Sequence, residues 1–290
     1  MTTVHISTAT FQAGRVETFA DFAEHVTRLV REATVDEADF LIFPEIVTAE
    51  LMSFFSETDL PARVKRLADY TDDYLQLFDG LARQHGLYIV GGSHVRKLDD
   101  RLFNVAHLFS PEGEVFEQQK LHLIPLGKAL FEPGRQLSVW DTEKAKICLL
   151  TCYDIEFPET VRLATLRGAE IVLSPSATAG ASGYWRIRHC AQARCIENQI
   201  FVAQSCLLGE VIPGAPFRGR SSILCPCDSA LRETGVVAEG AMDQEGVVSA
   251  EVDTAWLKEV RIQGEVTPFN DRRQDVIEAL YRETDASEVI

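Results

Sequence analysis

The sequence predicts a single α/β domain, and three observations support this prediction. Short apolar segments of strand length alternate with longer amphipathic segments along the 290 residues. Hydrophobic residues make up 46% of the chain and include 16 Phe and 3 Trp, which is enough for a large core. No linker, low-complexity tract or internal repeat divides the chain. We therefore expect one domain over residues 1–270, followed by a helical tail over residues 271–290.

The N-terminal half alternates between the hydrophobic periods of strands and of helices, and it ends in a hairpin. Apolar residues at helical spacing predict helices over residues 16–33 and 60–85. The sequence Ser-Pro-Glu-Gly at residues 110–113 is typical of a tight turn between two antiparallel strands. The strands predicted in this half cover residues 4–11, 40–43, 87–93, 104–109 and 115–119.

The C-terminal half continues the alternation. Pro158 begins a predicted helix and Gly168 follows its last residue, the arrangement that helix termini prefer. The other predicted helices cover residues 184–198 and 275–282. The predicted strands cover residues 171–174, 200–205, 221–224 and 246–252.

Charge and cysteine content limit the possible partners and compartments. The net charge of −16 and the pI near 4.9 argue against nucleic acid or an anionic membrane surface as a partner. No stretch is long and apolar enough to span a membrane, and the N-terminus lacks the features of a secretion signal. Seven cysteines, several inside apolar runs, are typical of reduced core thiols. We therefore expect a cytoplasmic protein.

Three reactive side chains lie where predicted strands end. Cys152 closes the apolar run 146–152, and the polar segment 153–159 follows it at once. A thiol at the end of a buried strand is held by the strand and displayed by the turn, which suits a nucleophile. Glu45 and Lys120 end two other strand-like segments. We expect the three side chains to meet at the C-terminal ends of adjacent strands and to form a hydrolytic site.

The sequence resembles the nitrilase-like carbon–nitrogen hydrolases over nearly its whole length. Any one of the matching motifs is weak evidence, but three in the same order are specific. The motifs are Phe43-Pro44-Glu45, Gln119-Lys120-Leu121-His122-Leu123 and Cys152-Tyr153-Asp154-Ile155-Glu156-Phe157-Pro158-Glu159, supported by Phe131-Glu132-Pro133-Gly134 and Gly168-Ala169-Glu170.

The resemblance implies a fold, an assembly and a reaction. The fold is an α-β-β-α sandwich with two mixed sheets, and the subunits usually pair through their helices. The reaction cleaves the C–N bond of a small amide, or acts on a nitrile, through a thioester on Cys152. Glu45 acts as the base, while Lys120 and the Tyr153 backbone N–H stabilise the oxyanion. Neither a metal nor an organic cofactor is needed.

Other site residues follow from the same resemblance. Many members carry a second glutamate after the lysine, and an ungapped alignment places Gly127 at that position. We expect Gly127 to leave a vacancy in the substrate site, with Ser176 and Thr178 as further substrate contacts. Glu132 and Asp154 are expected to support the loops structurally.

Several alternatives remain open at this stage. The thioester could be intercepted by an acceptor other than water, which would make the protein an acyl or amide transferase. The substrate could be a nitrile, or the fold could serve a non-catalytic interaction protein, an alternative that Gly127 leaves open. Specificity is expected to reside in four loops, residues 50–56, 126–130, 176–184 and 210–218. Cys225 and Cys227 lack a partner pair at metal-binding spacing.

Overall fold

The computed structural model describes residues 3–229 and 232–283. Within these residues, three short 3₁₀ segments occur in addition to the α-helices given below, at Val47–Phe54, Ala68–Tyr70 and Cys152–Glu156. The strands are β1 (Thr3–Gln12), β2 (Phe40–Ile42), β3 (Tyr88–Leu98), β4 (Arg101–Phe109), β5 (Val115–Gln119), β6 (Trp140–Asp141), β7 (Lys146–Leu149), β8 (Ile171–Ser176), β9 (Phe201–Leu208), β10 (Ser222–Leu224), β11 (Val236–Glu239) and β12 (Gly246–Asp253). The helices are α1 (Phe19–Val35), α2 (Leu60–Leu67), α3 (Thr71–His85), α4 (Pro125–Lys128), α5 (Pro158–Leu166), α6 (Gly180–Asn198), α7 (Thr254–Gln263) and α8 (Gln274–Glu283).

The described strands form two mixed halves that are hydrogen-bonded into one network. The first half has the order β5-β4-β3-β2-β1, with β12 antiparallel to β1. The second half has the order β9-β8-β7-β6, with β10 and β11 added beside β9. The halves are joined where Thr10 to Gln12 of β1 run parallel to Cys206 to Leu208 of β9. Both halves contain parallel and antiparallel pairs, as the prediction of mixed sheets requires.

Three hydrophobic clusters establish the layer order. Alternate residues of each strand point to opposite faces, so one strand contributes to two clusters. In β2, Phe40 and Ile42 pack between the halves while Leu41 faces the helices α1 to α3. In β8, Ile171 and Leu173 pack between the halves while Val172 faces α5 and α6. The arrangement is therefore helix, sheet, sheet, helix, which confirms the predicted α-β-β-α sandwich.

The amphipathic pattern of α1 accounts for its position. Phe22, Val26, Leu29 and Val30 are buried on one face of this helix, against the first half of the sheet. The Thr18 hydroxyl accepts a hydrogen bond from the Asp21 N–H, which caps the helix N-terminus.

The largest differences from the predicted helices are a break in one and an earlier start in another, and tertiary contacts explain both. The predicted continuous helix 60–85 is broken by the 3₁₀ segment between α2 and α3. There the Thr71 hydroxyl donates to the Ala68 carbonyl and contacts the His94 ring, which diverts the backbone from a regular helix. The helix predicted to start at residue 184 begins at Gly180, because packing outweighs the low helix propensity of its two glycines.

The C-terminal helix is present close to its predicted position. Helix α8 begins one residue before the predicted start, and residues 284–290 of the predicted tail lie outside the described residues. Within residues 3–229 and 232–283, no helix has the length and apolar character needed to cross a membrane.

Candidate active site

A close contact between β3 and the segment that follows β2 fixes the position of Glu45. A Cβ at Gly92 would lie 1.9 Å from the Pro44 carbonyl oxygen, so only glycine fits there. Its φ of +67° also favours glycine. On either side of Glu45, the Pro44 carbonyl accepts from the Ser93 N–H at 3.3 Å and the Ile46 N–H donates to Ser93 Oγ at 2.9 Å. These contacts fix the backbone that carries the Glu45 carboxylate.

Backbone contacts on both sides hold Lys120. Its N–H donates to the Asn104 carbonyl of β4 at 2.9 Å, and its carbonyl accepts from the Gly134 N–H at 2.8 Å. A Cβ at Gly134 would lie 2.7 Å from the Gln119 carbonyl oxygen, which explains the glycine of the Glu-Pro-Gly stretch. The loop that follows α4 is thus held directly against Gln119 and Lys120 through Gly134.

Cys152 sits on a strained turn. It follows β7 and begins the 3₁₀ segment with φ of +50°, in the left-handed region that non-glycine residues rarely adopt. Such strain is found preferentially at functional sites, where the surrounding contacts maintain it.

Asp154 provides those contacts. This fully buried carboxylate accepts from the Thr151 N–H at 3.1 Å and from the His122 N–H at 2.7 Å. His122 Nδ1 lies 3.0 Å from the same carboxylate, and its ring stacks on Phe157 with centroids 3.7 Å apart. Asp154 therefore ties the turn of Cys152 to the segment that follows Lys120.

The three predicted catalytic side chains form one buried cluster. Glu45, Lys120 and Cys152 are 5%, 5% and 6% exposed. Glu45 Oε1 accepts from Lys120 Nζ at 2.5 Å and from Asn104 Nδ2 at 2.8 Å. Glu45 Oε2 accepts from the Ala177 N–H at 3.2 Å. The Cys152 thiol donates to the Ala177 carbonyl at 3.7 Å, so Ala177 contacts both the carboxylate and the thiol.

Burial and charge set the resting protonation states of the cluster. Burial, reinforced by the Glu45 carboxylate, raises the pKa of the Cys152 thiol well above its ordinary value, although the Lys120 ammonium opposes this rise. Burial alone would lower the pKa of Lys120, but the charges of Glu45, Cys152 and Asp154 outweigh it and raise that pKa. The resting site thus holds a neutral thiol beside a permanently charged ammonium.

A cavity of about 130 Å³ opens onto the cluster. Glu45, Asn104, Lys120, Gly127 and Cys152 all line it. Each of the four predicted specificity loops also contributes to the wall. Their contributions are Met52, Leu126 to Gly127 with Leu130, Ala177, and Val211 to Ile212 with Phe217.

Two residues that the sequence predicts as substrate contacts lie outside the cavity wall. Ser176 and Thr178 do not line the cavity: the Ser176 hydroxyl donates to the Ser174 carbonyl and the Thr178 hydroxyl to the Arg218 carbonyl. Because side chains alternate along an extended backbone, Ala177 occupies the wall instead.

Tyr153 and Glu132 also lie outside the cavity wall. The Tyr153 ring packs edge-on against Phe157, outside the cavity wall. The Glu132 side chain is exposed, while its N–H donates to the Leu102 carbonyl at 2.8 Å.

The expectation that the three catalytic strands are adjacent is wrong. Glu45 follows β2, Lys120 follows β5 and Cys152 follows β7, and none of these strands pairs with another of the three. The residues meet because the loops at the strand ends converge from both halves of the sandwich.

Sequence reasoning missed Asn104 and Ala177. Asn104 lies within β4 in an otherwise apolar run, Phe103-Asn104-Val105-Ala106, and is 3% exposed. A polar amide on the buried face of a strand was the available signal. Ala177 gave no signal, because it acts through its backbone.

The described residues offer no evident metal site. Across residues 3–229 and 232–283, no three His, Cys, Asp or Glu side chains lie close enough together to hold a metal ion.

Comparison with known proteins gives the family. The carbon–nitrogen hydrolase family model matches residues 7–262. The chain belongs to the carbon–nitrogen hydrolase family. The prediction of a nitrilase-like, cysteine-dependent hydrolase family is thereby confirmed.

Curated relatives of this carbon–nitrogen hydrolase family member are hydrolases and amidases. The chain is 36% identical to "Probable hydrolase YhcX" of Bacillus subtilis over 96% of its own length, but it spans only 55% of that relative. It is 27% identical to "Omega-amidase NIT2" of Bos taurus, over 88% of this chain and 92% of the relative.

Solved structures of nitrilase-superfamily proteins share the fold. A glutamate-to-glutamine mutant of the amidase from Nesterenkonia sp. AN1 is 26% identical with a TM-score of 0.75, covering 95% of this chain and 96% of that one. In that structure the acetamide moiety of fluoroacetamide is attached covalently to the active-site cysteine. Saccharomyces cerevisiae Nit3 has a TM-score of 0.78 at 19% identity, covering 93% of this chain and 97% of that one, and supports the fold alone.

Proposed function

We propose that this protein hydrolyses the C–N bond of a small amide through a thioester on Cys152, with Glu45, Lys120 and Cys152 as the catalytic residues. The observation that carries the proposal is the convergence of a carboxylate, an ammonium and a thiol in one buried cluster that opens onto a cavity. In a glutamate-to-glutamine mutant of the Nesterenkonia amidase, the active-site cysteine is bonded to the acetamide moiety of fluoroacetamide, which supports a cysteine as the nucleophile.

The first half of the reaction forms the thioester. Because the thiol is neutral at rest, attack requires a base, and Glu45 takes the proton from Cys152 Sγ as the sulfur bonds to the carbonyl carbon. The oxyanion that results is stabilised by Lys120 Nζ and the Tyr153 N–H. Glu45 then returns the proton to the nitrogen, the C–N bond breaks, and ammonia or an amine leaves.

The second half regenerates the thiol. Water gives a proton to Glu45 while its oxygen attacks the thioester carbon. The second oxyanion collapses, the C–S bond breaks, and the proton returns to sulfur as the carboxylic acid leaves. Lys120 stays charged throughout, because its raised pKa keeps it protonated at neutral pH.

The test combines a variant with mass spectrometry. Cys152→Ser should lower amide turnover at least about 1,000-fold, because a serine hydroxyl is a far weaker nucleophile at neutral pH. Intact-mass measurement after mixing with an amide library should find an acyl adduct on Cys152 in the unchanged protein. Cys190→Ala, which alters a half-buried thiol on α6 away from the cavity, is the matched control and should keep full activity.

The outcomes separate the remaining alternatives. Near-normal turnover by Cys152→Ser would contradict the assignment of the nucleophile. A new amide formed when an amine acceptor is added, at the expense of the free acid, would indicate a transferase instead. Absence of both adduct and ammonia release with every amide and nitrile would indicate a non-catalytic protein.

A further inference from the structure

The wall of the cavity is apolar beyond the catalytic cluster. Its side chains come from the 3₁₀ segment after Glu45, from α2, from the loop around α4 and from the segment after β9. They include Met52, Leu60, Val64, Leu123, Val211 and Phe217. Hydrocarbon side chains therefore surround the space that a substrate's acyl group would occupy.

Charged groups in the wall are confined to the cluster itself. Among the described residues that line the cavity, Glu45 is the only carboxylate and Lys120 the only cation. Lys120 Nζ already binds Glu45 Oε1 at 2.5 Å. No arginine, and no lysine other than Lys120, is available among these residues to pair with an anionic group on a substrate.

Gly127 enlarges this apolar space. It is buried in α4, and a Cβ there would meet Leu123 and Ile124 atoms at 3.6 to 3.7 Å, which are ordinary van der Waals distances. The backbone could therefore carry a side chain at this position. With glycine, the space remains part of the cavity.

We propose that the cavity is an acyl-binding pocket for a small, uncharged aliphatic amide, and that it rejects an amide whose acyl group carries a carboxylate. This inference rests on the proposed amidase function and adds the class of its substrate. An apolar cavity of about 150 Å³ holds a benzene molecule, so this one accommodates a branched acyl group of roughly four to five carbons. An unpaired carboxylate in the same place would lose its hydration without gaining a partner.

A pair of substrates of matched shape tests the proposal. Isovaleramide and malonamate have the same number of non-hydrogen atoms, and malonamate replaces the two methyl groups with carboxylate oxygens. We expect kcat/KM for isovaleramide to exceed that for malonamate at least about 100-fold. Malonamide, which is polar but neutral, should fall between them.

A change in the wall tests whether the pocket is the cause. Ile212 lines the cavity and is half-buried, so an arginine there adds a cation without opening the core. Ile212→Arg should raise the malonamate-to-isovaleramide ratio of kcat/KM at least about tenfold. Ile212→Gln is the matched neutral control and should leave this ratio within about threefold of the unchanged protein.

The possible failures are distinguishable. If malonamate is hydrolysed as well as isovaleramide, the substrate class is wrong although the amidase function stands. If Ile212→Arg leaves the ratio unchanged, the acyl group does not bind against this wall. If acetamide and both test amides give neither ammonia nor an adduct on Cys152, the proposed function itself fails, and this inference fails with it.

Discussion

At the scale of single residues, the two oxygens of Glu45 have different partners. Oε1 accepts from Lys120 Nζ and Asn104 Nδ2, whereas Oε2 accepts from the Ala177 N–H at the longer distance of 3.2 Å. An oxygen with two short donors is a poor proton acceptor. We therefore infer that Oε2 takes the proton from Cys152, and that Asn104 acts by positioning the carboxylate.

Replacing Asn104 tests this role. Asn104→Leu should lower kcat about 10- to 100-fold with a smaller effect on KM, because the base is less well oriented. Steady-state kinetics of the variant and the unchanged protein would measure both constants.

A second buried amide provides the control for Asn104. Asn198 lies at the end of α6, away from the cavity, and its Nδ2 donates to the Arg194 carbonyl. Asn198→Leu should lower thermal stability while keeping kcat within about threefold of the unchanged protein. If both variants lower thermal stability and neither lowers kcat, Asn104 is structural only.

Gly127 offers a second test at residue scale. Gly127→Glu should fold, because a Cβ fits there, and should lower kcat/KM for a neutral aliphatic amide about tenfold or more, because it fills the cavity and brings a charge into it. Gly127→Gln has nearly the same volume without the charge and separates the two effects. Gly127→Ala should be nearly neutral. A rise in turnover with the glutamate would mean that the natural site lacks a catalytic group.

At the scale of elements, His25 links α1 to the wall of the cavity. Its Nδ1 lies 3.0 Å from Glu50 Oε1, its Nε2 lies 2.7 Å from Glu245 Oε1, and its ring stacks on Phe11. Glu50 belongs to the 3₁₀ segment that supplies Met52 to the cavity, and it also accepts from the Gly14 N–H. One imidazolium thus holds three segments together.

This contact predicts a loss of stability at alkaline pH. Burial would lower the pKa of His25, but hydrogen bonds and charges from Glu245 and Glu50 outweigh it and raise the pKa to about 9. Since this lies above the unfolded value near 6.5, the stabilisation is complete below about pH 6.5 and is lost as pH rises through about 9. Because one pKa unit corresponds to about 1.4 kcal/mol, the loss in free energy of unfolding should reach about 3 kcal/mol.

Denaturant unfolding at pH 6.5 and 9.5 measures the effect. In His25→Gln the difference between the two pH values should shrink by about that amount. His5→Gln removes a histidine from a more exposed pair with Glu251 and should leave the difference unchanged. An undiminished pH dependence in His25→Gln would assign it to other groups.

At the scale of the whole molecule, exposed apolar side chains on α5 and α6 indicate that the protein associates with a second copy of itself. Large apolar side chains are exposed there on both helices, namely Leu163, Leu166, Trp185 and Ile196. Large apolar side chains exposed on two neighbouring helices are typical of a protein interface. We propose that two copies pair through this face in solution, as the sequence resemblance implies.

A charge on that face should separate the subunits. Leu166, which is 51% exposed, can be changed to aspartate without disturbing the core, and Leu166→Asp should shift the mass measured by light scattering from dimer towards monomer. Val35→Asp is the control, because Val35 is 81% exposed on the opposite helical layer. A monomeric unchanged protein would contradict the proposal.

The sequence by itself determined the fold class and the choice of candidate reactive residues. The hydrophobic periods of strands and helices reflect local backbone geometry, so they can be recognised in the sequence without knowledge of tertiary contacts. Cys152, Glu45 and Lys120 were identifiable because each ends a strand-like segment within a motif. Gly92 and Gly134 are likewise conspicuous residues, although the sequence does not reveal the close contacts that require them.

Only the tertiary structure decided how the site is assembled. The strands that carry the three reactive residues are not neighbours, and chain order contains no information about how two halves of a sandwich bring their ends together. The apolar wall draws on segments far apart in sequence, so its chemistry appears only after folding. Asn104 and the backbone of Ala177 gain their roles from partners that lie 59 and 132 residues away in the chain, where no local pattern can reveal them.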